Sequence, residues 1–162
     1  MTDIMEKFFA PKSVAVIGAS ATQGKSGNVV IRNIRDNGFK GKLYLVNPRG
    51  VRIEGLPVCA SIDELPPGID QAIVTLPAAA APETVRALGA KGIPAIVLAA
   101  SGFAEVDQMG EALQGELNAA IKESGARVIG PNTTGHVSTP ANFTSSFFPL
   151  GKVPSGHISY IT

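Results

Sequence analysis

The sequence predicts an α/β fold, a Rossmann-like doubly wound and mostly parallel sheet with helices on both faces, and three observations carry that expectation. Its apolar runs are short and continuous rather than alternating, which marks strands covered on both sides. Between them lie mixed segments of about 10 to 18 residues, several with helical spacing, long enough for crossovers between parallel strands. The 18 Gly and 12 Pro fall largely at the joints between these runs, where such residues end one element and open the next.

Taken in order, Ser13–Ile17 (SVAVI) is the first strand and ends at Gly18. A polar, glycine-containing loop leads into a helix over 27–37. Lys42–Val46 (KLYLV) is the second strand, closed by Asn47-Pro48-Arg49. The third, over 71–76, stops at Pro77, and the Ala-rich helix over 79–91 sets Val85 and Leu88 on one face before Gly92 ends it. The fourth strand, 95–99, runs into Ser101-Gly102-Phe103, and a helix over 106–123 carries Met109, Leu113, Leu117 and Ile121 on one stripe until Ser124-Gly125. A fifth strand at Arg127–Ile129 meets Gly130-Pro131-Asn132. Residues 133–155 have no period and read as a loop across the sheet edge or a connection to something further. Residues 157–161 are a candidate sixth strand.

A chain of 162 residues is one domain's worth, and at that size folding buries roughly 68–70% of the unfolded chain's surface, enough for a core without disulfides or structural metal. Cys59 is the only cysteine, which excludes an intrachain disulfide framework or a cysteine-rich metal centre and suits a reducing compartment. The 14 Lys and Arg nearly cancel the 13 Asp and Glu, so a general nucleic-acid binder, with its basic excess, is not expected. The N-terminus lacks the basic and apolar regions of a signal peptide, and no apolar run approaches the ~20 residues of a membrane helix. A soluble, cytoplasmic protein is expected.

Open α/β sheets bind ligands beyond the carboxyl ends of their strands. Here those ends read Gly18-Ala19-Ser20, Asn47-Pro48-Arg49, Thr75-Leu76-Pro77, Ser101-Gly102-Phe103 and Gly130-Pro131-Asn132. Turns use such residues in any case, but five loops in agreement point to a ligand cleft. The first loop, with Ala19, Gly24, Lys25 and Ser26, fits a loose phosphate-loop pattern after an apolar strand. An NTPase of that type also needs an acid at a strand end to hold Mg²⁺, and no strand here ends in Asp or Glu. A nicotinamide site would need G-x-G-x-x-G and an acid after the second strand. Gly18-Ala19-Ser20-Ala21-Thr22-Gln23 lacks the later glycines, and Asn47-Pro48-Arg49 stands in the acid's place. Arg49 offers instead a fork of donors suited to a phosphate, as on a 3′-phosphorylated adenosine ribose.

The loops also follow one another in a familiar order. Residues 13–20 (SVAVIGAS) with Gly24-Lys25 and Gly27, Asn33-Ile34, Gly38-Phe39-Lys40-Gly41-Lys42-Leu43-Tyr44, Val46-Asn47-Pro48, Gly55-Leu56-Pro57-Val58, residues 61–66 (SIDELP), Ser101-Gly102-Phe103-Ala104-Glu105 and Gly130-Pro131-Asn132 resemble the N-terminal CoA-binding domain of NDP-forming acyl-CoA synthetases. These are relatives of the succinyl-CoA ligase α subunit, and the resemblance covers roughly residues 8 to 162.

That resemblance implies a coenzyme A site. Gly18, Ser20, Ala21, Thr22, Gln23 and Lys25 with Asn47, Pro48 and Arg49 would receive the nucleotide end. Thr75, Leu76, Pro77 and Ala78 would line the pantetheine path, and Ser101, Gly102, Phe103 and Asn132 would lie toward the thiol. In the family, ATP phosphorylates a histidine, the phosphate passes to a carboxylic acid, and the CoA thiol attacks the acyl phosphate to give acyl-CoA, ADP and phosphate. ATP and ADP would act only through domains beyond this chain, such as an ATP-grasp domain or subunit, in a homo- or hetero-oligomer. Neither His136 nor His157 has the surroundings of the phosphohistidine, so the chain alone is expected to be inactive and to be the first domain of a longer one. Thr133 stands where the family usually has cysteine, and Cys59 reads as structural. Similar domains also occur in protein acetyltransferases and as stand-alone CoA-binding proteins, which is the alternative reading.

Overall fold

The computed structural model describes residues 3–50 and 52–157. In chain order the elements are α1 (Ile4–Phe9), β1 (Ser13–Ile17), α2 (Ser26–Asp36), β2 (Lys42–Val46), β3 (Val58–Cys59), β4 (Gln71–Val74), α3 (Ala81–Ala90), β5 (Ala95–Leu98), α4 (Gln108–Ser124), β6 (Arg127–Ile129), and a small hairpin of β7 (Val137–Ser138) and β8 (Phe143–Thr144). The first six strands make one sheet in the order β3-β2-β1-β4-β5-β6, every pairing parallel. The expected doubly wound α/β architecture is present, and the strand order reverses between β1 and β4.

Why the apolar runs do not alternate is visible in the core. Ala15, Ile17, Ala72, Val74, Ile96 and Leu98 point to one face, against Val85 and Leu88 of α3 and Leu117 and Ala120 of α4. Val14, Val16, Ile73, Ala95 and Val97 point to the other, against Val30, Ile31 and Ile34 of α2, Phe8 of α1 and Phe143 of the hairpin. Both faces are dry, so both sets must be apolar.

Several expectations are corrected. The third strand ends at Val74 and the fourth at Leu98, so Thr75-Leu76 and Ala99 belong to loops. A 3₁₀ turn at Ala78–Ala80 precedes α3. The last long helix begins at Gln108, capped by the Asp107 carboxylate on the Gly110 N–H at 2.9 Å, and Met109 of the expected stripe lies 82% exposed. Of that stripe only Leu117 is buried, with Leu113 and Ile121 half-buried against the same core, and Ala120, outside the expected stripe, is buried beside them. Residues 133–155 are not plain loop, since β7 and β8 pair antiparallel within them. The candidate strand at 157–161 lies outside the described residues, except His157, which is exposed in an irregular stretch.

Beyond the hairpin, the chain is strapped onto α2 by two asparagines one helical turn apart. Asn33 Nδ2 donates to the Ser146 and Phe148 carbonyls at 2.9 and 2.6 Å, and its Oδ1 accepts from the Leu150 N–H at 3.3 Å. Asn37 Nδ2 donates to the Gly151 carbonyl, and its Oδ1 accepts from the Val153 N–H, both at 2.9 Å. An extended chain has no strand partner on a helix face, so side-chain amides, which both donate and accept, satisfy its backbone instead.

Candidate functional site

The reversal of strand order leaves a crevice beyond the carboxyl ends of β1 and β4, the place where such sheets bind ligands. The two ends are bonded together. The Thr75 N–H donates to the Ile17 carbonyl at 2.9 Å, and the Thr75 hydroxyl lies 3.1 and 3.2 Å from the Ile17 and Gly18 carbonyls. Gly18 has φ +88°, and a Cβ there would meet Thr75 Oγ1 at 2.9 Å, so a side chain is excluded by conformation and by space.

A cleft of about 300 Å³ opens here, lined by Ser26, Thr75, Leu76, Pro77, Ala99, Ala100, Ser101 and Phe147. Thr75, Leu76, Pro77 and Ser101 therefore stand together on its wall as the sequence suggests. Ala78 lies just behind, within the 3₁₀ turn, and a Cβ on Gly102 would sit 3.6 Å from its methyl. Ser26, Ala99, Ala100 and Phe147 were not expected on this wall. Ser26 stood only in the phosphate-loop pattern, Ala99 ended the expected fourth strand and Ala100 adjoins Ser101; Phe147 arrives on the strap held by Asn33 and carries no local signal of its own.

On the other side of β1, the polar loop climbs into α2. Ala21, Thr22, Gln23, Gly24 and Lys25 are exposed and Ser20 is half-buried. The Ser20 hydroxyl accepts from the Thr22 N–H at 3.1 Å, and its carbonyl accepts from Asn28 Nδ2 at 3.1 Å. The first turn of α2 carries no acidic residue, and its first amides have no intrahelical acceptor, so this helix end favours an anion. Gly27 lets it approach, since a Cβ there would lie 2.1 Å from the Gly18 carbonyl oxygen. Gly27 thus does the helix-packing task of the last glycine in a dinucleotide fingerprint, at a different spacing.

Asn47 couples this loop to the next. Its Nδ2 donates to the Ala19 carbonyl at 2.6 Å, and its Oδ1 accepts from the Arg49 N–H at 2.8 Å. Pro48 and Arg49 are exposed. Among the described residues neither Lys25 nor Arg49 belongs to an ion pair, so both cations remain available to an anionic ligand at this end.

The far end of the cleft is built differently. Glu105 closes the loop after β5, its two carboxylate oxygens accepting from the Gly102 and Phe103 N–H groups at 2.7 and 3.1 Å. These bonds hold its carboxyl below the ordinary range. The Phe103 ring is fully buried in the core against the α3 and α4 side of the sheet, so that residue shapes the loop from beneath, and of the residues expected toward the thiol only Ser101 lines the cleft. Asn132 turns at φ +55° with its N–H on the Ala100 carbonyl at 2.8 Å, and its side chain is exposed. Thr133, at the expected cysteine position, accepts the Gly135 N–H at 3.2 Å.

Neither histidine enters the cleft. His136 is held under α1, with Nε2 on the Phe8 carbonyl at 2.8 Å and Nδ1 beside the Ser145 hydroxyl at 2.9 Å. It is ringed by Phe8, Phe9 and Phe143. Burial pushes the imidazole below its ordinary pKa, against the pull of the Phe8 bond. Cys59 lies half-buried in β3, and burial raises its thiol, which suits the structural role read from the sequence. Among the described residues no group of His, Cys, Asp and Glu could hold a metal ion, and no helix is long and apolar enough to cross a membrane.

A parallel sheet of this order, with a glycine-tight first loop, an anion-friendly helix end and a narrow cleft at the switch point, defines a Rossmann-like domain of the nucleotide-binding class. The chain belongs, more particularly, to the CoA binding domain family, whose model matches residues 12–139. It is 40% identical over 157 residues to an ADP-forming acetate–CoA ligase II of Archaeoglobus fulgidus, which covers 97% of this chain and 23% of the relative. It is 37% identical to the α subunit of an ADP-forming acetate–CoA ligase I of Pyrococcus furiosus, over 93% of this chain and 33% of that subunit. Among solved structures, acetyl-coenzyme A synthetase 1 of Ca. Korarchaeum cryptofilum, in complex with phosphate and ADP, superposes with a TM-score of 0.87 at 35% identity, over 96% of this chain and 33% of that one. The chain thus spans 23 to 33% of the length of these relatives.

Proposed function

We propose that this chain binds coenzyme A and serves as the CoA-binding domain of an ADP-forming acid–CoA ligase. The observation that carries the reading is the division of the site into a cationic and a neutral half. Lys25 and Arg49 stand exposed and outside the ion pairs of the described residues on the loops after β1 and β2, next to the α2 N-terminus, and the Thr75–Ser101 cleft carries no charged residue in its lining. CoA has the matching polarity, with a phosphorylated nucleotide at one end and an uncharged pantetheine arm at the other. The names of the relatives agree with this reading.

In this arrangement the loop 20–23 and the α2 amides hold the pyrophosphate, and Arg49 pairs with the ribose phosphate. The arm runs between Thr75-Leu76-Pro77 and Ser101 beside Phe147, bringing the thiol toward Gly102 and Asn132. The domain presents the nucleophile; activation of the carboxylic acid with ATP falls to other ligase domains or an ATP-grasp subunit. No histidine lines the cleft, so the phosphohistidine step falls outside it. Isothermal titration with CoA, dephospho-CoA, NAD and ATP tests the reading: CoA should bind best and NAD should not bind.

A further inference from the structure

Glu54 occupies a place where its residue type is unexpected. Ile53 and Leu56 exchange backbone hydrogen bonds of 3.1 and 2.8 Å around a two-residue turn, and both central residues have positive φ, +49° for Glu54 and +78° for Gly55. Turns of this shape favour Asn-Gly or Asp-Gly. Gly55 suits it, whereas a glutamate is strained in the left-handed region. Such strain persists where the surroundings require that side chain.

The surroundings are specific. Glu54 Oε2 accepts from Arg35 at 2.9 Å, and Oε1 accepts from Asn28 Nδ2 at 3.4 Å. Asn28, 1% exposed in the first turn of α2, donates with the same Nδ2 to the Ser20 carbonyl at 3.1 Å. A carboxylate, like the Ser20 carbonyl, can only accept, so Glu54 and Ser20 together hold the Asn28 amide with its nitrogen toward both. Reversing the amide would set its oxygen against two acceptors. The cost of the chosen orientation is visible, since Asn28 Oδ1 is buried with no partner among the described residues.

We propose that Glu54 is a positioning residue for the nucleotide loop: through Asn28 it fixes the Ser20 carbonyl, and with it the loop on which the CoA pyrophosphate rests. The inference depends on the CoA reading and names a residue that touches no ligand. A residue kept for the turn alone would be better as asparagine, so the two roles predict different results from one substitution. Asparagine is one methylene shorter and falls short of a contact already at 3.4 Å.

Glu54→Asn should therefore leave the melting temperature unchanged or higher while weakening CoA roughly tenfold through lost preorganisation. The affinity of pantetheine, which lacks the nucleotide, should stay the same. Glu54→Gln, which keeps an acceptor for Asn28, should recover most of the CoA affinity. Wild-type affinity in Glu54→Asn, equal weakening of CoA and pantetheine, or no recovery in Glu54→Gln would each overturn the proposal while leaving the CoA reading in place. Failure of the wild-type chain to bind CoA would remove that reading and this proposal with it.

Discussion

Asn47 Nδ2 lies 2.6 Å from the Ala19 carbonyl oxygen, so the loops after β1 and β2 are tied by a single side chain whose other end holds the Arg49 N–H. One residue thereby sets the spacing between the loop assigned to the pyrophosphate and the arginine assigned to the ribose phosphate. Asn47→Ala removes both bonds and should lower stability by about 1–2 kcal/mol, read by urea denaturation. It should also weaken CoA more than pantetheine in titration.

Arg49 itself gives a chemical test. Arg49→Ala should weaken CoA by about 1.5–3 kcal/mol, the range for a charge-assisted hydrogen bond, and dephospho-CoA much less. Equal losses for both ligands would remove the arginine from the ribose phosphate.

Gly27 is a test of packing. A methyl there meets the Gly18 carbonyl oxygen at 2.1 Å; the backbone fixes where that Cβ lies and the oxygen is itself backbone, so no side-chain rotation relieves the contact. Gly27→Ala should cost about 1–3 kcal/mol of overpacking strain, seen as a lower urea midpoint, and should move α2 off the first loop. Gly24→Ala, where nothing lies within 4 Å, should show only the smaller cost of its positive φ.

The buried imidazole of His136 predicts an acid-side loss of stability. Its folded pKa lies below its unfolded value, near 6.5, so the unfolded chain binds more protons between the two. Stability should therefore be full above about pH 6.5 and decline as pH falls below it. Burial alone would raise the Asp70 carboxyl, but its bonds with Lys7, Lys12 and Ser13 outweigh that and leave it lowered. Its own loss thus begins below the unfolded carboxylate value and lies at lower pH than that of His136. Melting temperatures between pH 7.5 and 5 should fall in the wild type and flatten in His136→Gln.

How much of this was legible in the sequence depends on the range of the forces involved. Strands buried on both faces announce themselves as unbroken apolar runs, and the loops at their ends need Gly, Pro or Asn for local reasons, so Gly18, Asn47, Thr75 and Ser101 could be named from the chain alone. The six-residue α1 is too short for a period, and its one local signal is the Asp3 cap on the Met5 N–H. The two-residue strands β3, β7 and β8 leave no alternation to read. Phe147 reaches the cleft because Asn33 grips a carbonyl 113 residues downstream, a relation no local pattern contains. Phe103 looked like a loop residue facing a ligand, yet its ring is core. The asparagines at 33 and 37 did repeat at helical spacing, and buried amides on one helix face were the available hint of the strap.

Whether the switch-point cleft takes coenzyme A is decided by isothermal titration of the chain with CoA and with NAD. A single CoA site and no measurable NAD binding are expected; NAD binding without CoA binding would overturn the CoA assignment.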